Sequence, residues 1–215
     1  NLLGAYSALW VQIKQLRAKS PDTLRFLIAS AIYRDGLAGV FSYGAILGSV
    51  AFGFSATEVI FFGIAANLVA GTGAALGGLM ENKLGTRNTI AGSLSGLLVA
   101  GSAVFLFANQ GQITYWIGGL ALCLFVGPAQ ASSRTFVARF TPHGREGELF
   151  GLYQTTGRAA SFLSPLFWWI ATASAAAAGI AQSAIFGIIG IVVVLAIGLW
   201  LLLRIDPIPT VLESN

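Results

Sequence analysis

Apolar positions along this chain run in long unbroken stretches. Six of them, at 24–52, 58–80, 89–108, 113–133, 148–171 and 181–203, fill nearly everything between Leu24 and Leu203. A hydrocarbon core about 30 Å thick is crossed by roughly 20 helical residues, so each stretch predicts one transmembrane helix. The first is long enough for a tilted or kinked one. Turn residues punctuate the gaps: Gly53-Phe54-Ser55, Gly85-Thr86-Arg87, Asn109-Gln110-Gly111 and Thr141-Pro142-His143-Gly144. A β-barrel would need short alternating segments, and a signal peptide would be N-terminal with a cleavage pattern; neither is seen. The predicted fold class is all-α, a polytopic membrane protein with six transmembrane helices.

Composition agrees. With 56% apolar and 9% charged residues, too little polar surface remains to clothe a soluble domain. The positive charges are one-sided. Lys14, Arg17, Lys19 and Arg25 precede the first stretch, Lys83 and Arg87 follow the second, Arg134, Arg139 and Arg145 follow the fourth, and Arg204 follows the sixth. The opposite loops, around Ser55, Gln110 and Ala176, hold no Lys or Arg. This asymmetry predicts both termini on the cytoplasmic side of a cell (inner) membrane. It also accounts for the net charge of +4 without a nucleic-acid partner. Residues 1–23, with Tyr6, Leu9, Ile13 and Leu16 three or four apart, predict a basic amphipathic linker helix on the cytoplasmic membrane surface. Residues 24–205 then form the bundle and 206–215 a cytoplasmic tail. Trp116, Trp168 and Trp169 are expected as interfacial anchors.

Polarity is uneven among the stretches. The third and sixth are nearly featureless. The others hold Tyr33, Arg34, Asp35, Ser42 and Tyr43; Asn67 and Thr72; Tyr115, Gln130, Ser132 and Ser133; Tyr153, Gln154, Thr155, Thr156, Arg158, Ser161 and Ser164. The order polar-polar-bland, twice over, reads as a three-plus-three repeat of the kind from which many transporters are built. Polar groups within hydrocarbon face a bundle interior or a wet cavity. The first, second, fourth and fifth helices are therefore expected to line a cavity, and the third and sixth to lie at the lipid-facing periphery.

Three charges lie deep. Arg34 falls about ten residues into its stretch, roughly 15 Å at 1.5 Å per residue, and Arg158 is as deep in the fifth. An arginine at mid-membrane costs about 2.5–3.5 kcal/mol on insertion scales, and guanidinium grips a carboxylate or phosphate bidentately. Asp35 is the one deep carboxylate; burial raises its pKa and a nearby arginine lowers it, the balance that proton coupling uses. The candidate substrate-binding residues are Arg34, Arg158, Gln154, Tyr33, Asn67 and Gln130, with Asp35 for coupling. The competing reading is structural: Asp35 pairs with an arginine and only locks helices together. Arg34 and Asp35 point about 100° apart on a helix, so they do not aim at one spot.

Motifs add to this. Gly78-Leu79-Met80-Glu81-Asn82-Lys83-Leu84-Gly85-Thr86-Arg87 resembles the cytoplasmic loop signature of the major facilitator superfamily, G-x-L-x-D-R-x-G-x-R/K. It matches at Gly78, Lys83, Gly85 and Arg87. It departs at Asn82, where the family has Asp and where the neighbouring Glu81 offers a charge. Tyr33-Arg34-Asp35-Gly36, Gly127-Pro128-Ala129-Gln130-Ala131-Ser132-Ser133-Arg134, Glu148-Leu149-Phe150-Gly151-Leu152-Tyr153, Gly157-Arg158 and Ser161-Phe162-Leu163-Ser164-Pro165 together resemble the C-terminal half of facilitators related to the autophagy-linked vacuolar amino-acid effluxers. That resemblance implies helices seven to twelve of twelve, an N-terminal six-helix half of the same protein as partner, and alternating-access transport of a small, amino-acid-like solute. It implies a gating loop of Gly78, Glu81, Asn82, Lys83, Gly85 and Arg87.

An intramembrane enzyme would need a nucleophile with its base, or metal ligands. The chain has one cysteine and one histidine, Cys123 in a span and His143 in a loop, and both are read as packing and solvated loop. Gly71-Thr72-Gly73 and Gly77-Gly78 read as helix-packing faces, since no phosphate-loop pattern follows a strand. No enzyme activity, cofactor or metal is expected; the expected partners are a small-molecule substrate and membrane lipid. A drug or lipid exporter of the same fold, or a non-transporting membrane scaffold, stays open as an alternative.

Overall fold

Local capping decides where the helices begin and end. The computed structural model describes residues 21–140 and 146–205; of the predicted linker helix over 1–23 only 21–23 are described, and these begin the helix of the first crossing, while the Thr141–Gly144 turn and the tail at 206–215 lie outside the described residues. Helix α1 (Pro21–Val50) opens on a proline, whose missing N–H is no loss at a first helical position. Helix α2 (Ala56–Leu84) opens on a capping box: Ser55 Oγ accepts from the Glu58 N–H, and Glu58 Oε2 accepts from the Ser55 N–H at 2.7 Å. Gly85, at φ +80°, turns the chain directly into α3 (Thr86–Leu106) in a conformation that favours glycine. Helices α4 (Gln112–Phe140), α5 (Glu146–Ala160), α6 (Leu163–Ala177) and α7 (Gly187–Leu202) follow. Among the described residues there is no strand.

The elements match the six predicted crossings, and the fold is an all-α, multi-pass membrane bundle. Five crossings are long and apolar enough by composition, counting α5 and α6 as one. Helix α1, at 30 residues, is long enough but carries Arg34 and Asp35 at mid-length. The fifth crossing differs from expectation: it is broken at Ser161–Phe162, between α5 and α6. Pro165 is the cause. It has no N–H for the Ser161 carbonyl, and its ring clashes with that carbonyl in a continuous helix.

Helix α4 packs most extensively against α2 and α3, and α1 against α7. Between apolar helices in lipid the driving force is close packing, so small residues set the contacts. A Cβ on Gly73 would collide with the Leu124 carbonyl, and one on Gly127 with the Ala70 carbonyl. The Leu124 carbonyl is free to approach Gly73 because Pro128, four residues on, offers it no N–H. At the end of the bundle opposite Glu81, Tyr115 stacks between Phe52 and Phe62, with ring centroids 4.9 and 4.8 Å away, and its hydroxyl donates to the Gly44 carbonyl.

Two expectations are corrected. The third and sixth crossings are not simply peripheral: 39% and 50% of their apolar stretches are buried, against 11% for α2. Leu195 is 1% exposed and lines a small apolar cavity of about 40 Å³, while Trp200 on the opposite face is 52% exposed. A side chain without polar atoms suits the inside of an apolar layer as well as its outside, so blandness alone does not specify a lipid-facing helix. Of the three tryptophans expected as anchors, Trp169 is exposed, while Trp168 and Trp116 are half-buried. Trp168 stacks on Tyr43 at 4.4 Å, and Trp116 joins the rings of Phe54 and Phe62. Cys123 is buried, as packing.

Candidate functional site

Two adjoining polar clefts open between the polar crossings. One, of about 330 Å³, is lined by Arg34 and Asp35 of α1, Gln130 and Arg134 of α4, and Gln154 and Arg158 of α5, among others. The second, of about 500 Å³, lies between α1, α2 and α4 and includes Asn67. Gln130 and Arg134 belong to both. No residue of the third or sixth crossing lines either cleft, so the bland helices stay out of the polar space even though both have buried faces within the bundle.

Arg34 spans the gap between α1 and α5. Its Nη1 donates to the Tyr153 carbonyl at 2.9 Å, and its Nη2 to Gln154 Oε1 at 2.8 Å. The guanidinium lies 3.8 Å from the Tyr153 ring centroid, a cation–π arrangement. Gly157 makes the room: a Cβ there would sit 3.0 Å from Arg34 Nη1.

Asp35, 7% exposed, turns the other way. Its Oδ2 accepts from the backbone N–H of Ser164, and the Ser164 hydroxyl donates back to the Asp35 carbonyl at 2.9 Å. Ser164 is the second residue of α6, so its N–H is one of those a helix leaves unsatisfied at its start. The carboxylate also meets the positive end of the helix dipole. The consecutive residues Arg34 and Asp35 thus hold the two pieces of the broken crossing, one each. Arg34 and Asp35 form no ion pair with each other, and Asp35 forms none with Arg158; the ion pairs among the described residues are Arg25–Asp22 and Arg139–Glu81.

Tyr33 lies behind the cleft wall, at 0% exposure. Its hydroxyl shares a hydrogen bond of 2.6 Å with Ser133, which shares one of 2.7 Å with the Tyr153 hydroxyl. It therefore supports the wall that carries Arg34 and touches no cleft. Asn67 is on the second cleft, with its Nδ2 donating to the Gly63 carbonyl at 2.8 Å. The Arg158 side chain is exposed to the cleft and makes no hydrogen bond or ion pair among the described residues, while its backbone carbonyl accepts from Ser161 Oγ at 2.7 Å.

In the 78–87 loop the side-chain contacts to neighbouring helices centre on Glu81 rather than Asn82. Glu81 Oε1 accepts from Thr86 Oγ1 at 2.8 Å and faces Arg139 Nη2 at 3.4 Å, while Oε2 accepts from Ser132 Oγ at 2.9 Å. It ties the end of α2 to α3 and α4. Asn82, Lys83 and Gly78 are exposed. Arg87 donates to the Leu203 carbonyl at 2.7 Å, fastening α3 to the end of α7.

Arg134 is the residue that sequence reasoning misplaced. Counted as a loop cation after the fourth span, it lies within α4, which runs on to Phe140. The signal was a spacing: Gln130 and Arg134 are one turn apart and share a face.

Comparison with known proteins agrees with this architecture. Residues 1–207 match the family described as vacuole effluxer Atg22 like. Over 192 residues the chain is 28% identical to a Bacillus subtilis (strain 168) protein described as an uncharacterized MFS-type transporter, YxiO. That alignment takes in 87% of this chain and 42% of the relative. Six crossings in polar-polar-bland order, the 78–87 loop around Glu81 and a match over nearly the whole length converge on one assignment: the chain belongs to the Atg22-like vacuole effluxer family of the major facilitator kind.

Proposed function

We propose that the chain is the C-terminal half of a secondary transporter of the major facilitator type, which moves a small polar or anionic solute by alternating access. The observation that carries the reading is Arg158: a guanidinium at mid-crossing, on a polar cleft, with no partner among the described residues. A charge in that position is tolerated when it meets water or an anion. The cleft's volume lies in the range of small-molecule sites. Arg158, Arg34, Gln154 and Gln130 contact the solute, Asn67 borders the neighbouring space, and an N-terminal half of six helices closes the other side. Asp35 couples transport to protons: protonation weakens its hold on the Ser164 N–H, loosening α6 from α1 while Arg34 still holds α5. Glu81 holds the cytoplasmic ends of α2, α3 and α4 together in one state. Both termini face the cytoplasm of a cell (inner) membrane, and an amino-acid-like solute follows from family likeness.

The test is uptake into proteoliposomes by the full-length protein across amino acids, peptides and organic anions, with and without a proton gradient. Gradient-driven uptake of at least one solute, lost in Arg158→Ala, is the expected result. No uptake of any solute, with folded protein present, would refute the reading.

A further inference from the structure

The charges on the clefts are unbalanced. Three guanidiniums, of Arg34, Arg134 and Arg158, face the smaller cleft with one carboxylate, that of Asp35. The carboxylate is committed to the Ser164 N–H. Arg34 is committed to Tyr153 and Gln154. The guanidiniums of Arg134 and Arg158 make no hydrogen bond or ion pair among the described residues. The larger cleft, which shares Arg134, is lined by no acidic residue at all. So these clefts present two unengaged forked cations from facing helices, α4 and α5, and no unengaged carboxylate for an ammonium group.

We propose that Arg134 and Arg158 act as a pair that selects a solute with two anionic groups, an organic dicarboxylate, over a zwitterion. The inference rests on the transport reading above and narrows its solute to the anionic class, away from the amino-acid-like one that family likeness suggests. Each guanidinium offers parallel N–H donors matched to one carboxylate. Two carboxylates joined by a short carbon chain satisfy both forks at once and neutralise the formal excess of the cleft. A zwitterion satisfies one fork and brings its ammonium toward the other, where like charges repel. Gln130, beside Arg134 on both clefts, supplies a neutral donor and acceptor for the connecting chain. Arg134 is then a specificity-determining residue and not one of the loop charges that orient the protein.

The experiment measures binding to the purified full-length protein by thermal shift and competition, with succinate, propionate and alanine as probes. Succinate is expected to bind at least tenfold tighter than propionate or alanine. Arg134→Gln and Arg158→Gln should each reduce that preference about tenfold, to the level of a monocarboxylate. Arg134→Lys keeps the charge without the fork and should lose several-fold; where a glutamine variant does not fold, this variant decides. Alanine binding as tightly as succinate, or succinate affinity unchanged in Arg134→Gln and Arg134→Lys, overturns the proposal. Alanine uptake that ignores Arg134 but needs Arg158 would overturn it and leave the transport reading standing. Absence of uptake for every solute in the broader screen would remove both.

Discussion

The carboxylate of Asp35 caps Ser164, accepting its backbone N–H across the bundle while the Ser164 hydroxyl returns a hydrogen bond to the Asp35 carbonyl. Two helices are thereby joined at the point where the fifth crossing is interrupted. Arg34, one residue earlier, holds the other side of the interruption through Tyr153 and Gln154. A broken crossing with a separate clamp on each piece can change its bend by releasing one clamp.

Asp35→Asn keeps the shape of the side chain and a carbonyl oxygen to receive the Ser164 N–H, but it cannot release a proton. Folded protein is expected at near-normal levels, and uptake should lose its pH dependence more than its solute affinity. Asp35→Ala leaves a buried N–H unsatisfied, which costs about 1–3 kcal/mol, and should lower the melting temperature. A pH profile unchanged in Asp35→Asn would exclude the coupling role.

Arg158→Ala should abolish uptake and leave stability intact, because the side chain has no protein partner among the described residues to lose. A charged hydrogen bond is worth about 1.5–3 kcal/mol, so solute affinity should fall roughly ten- to hundredfold. Arg158→Lys should retain weak activity at most, since an ammonium lacks the fork. Loss of folded protein in Arg158→Ala, restored by adding Asp35→Asn, would show instead that the two charges are a structural pair.

Gly157→Val tests the placement of Arg34. A Cβ already lies 3.0 Å from Arg34 Nη1, and two further methyl groups would push the guanidinium off Tyr153 and Gln154. Uptake should fall more than in Gly157→Ala, and the difference should vanish in an Arg34→Gln background, where nothing remains to be displaced. A double-mutant cycle reads this coupling directly.

Where Glu81 joins α2 to α3 and α4, Glu81→Ala should destabilise more than Glu81→Gln, by about 1 kcal/mol, because the amide oxygen still accepts one of the hydroxyls of Thr86 and Ser132. The Arg139 contact is partly exposed and contributes about 0–1 kcal/mol. Thermal melting of both variants in detergent decides; equal losses would mean the hydroxyl contacts carry nothing.

Cysteine introduced at Gln110 should react with an impermeant reagent from outside intact cells, and cysteine at Lys83 only after permeabilisation, as the one-sided basic loops predict. The reverse pattern would invert the orientation.

The crossings were legible in the residues because bilayer thickness dictates a length and burial of backbone groups dictates a helix; neither depends on neighbours. The depth of Arg34, Asp35 and Arg158 follows from the same count. The break at Ser161–Phe162 had a written signal in Pro165, though a proline alone does not tell a kink from a full interruption. Three things needed the tertiary structure. Asp35 meets a backbone N–H rather than an arginine, Tyr33 faces Ser133 rather than the cleft, and Leu195 faces inward while Trp200 faces out. Each is a matter of helix rotation and register. These are decided by close approaches such as Gly198 on Tyr33, Gly36 on Leu195 and Gly39 on Ser164, between residues far apart in the chain. A list of polar atoms by position carries no information about that rotation, because every partner lies on a different helix whose register is settled only when the backbones meet.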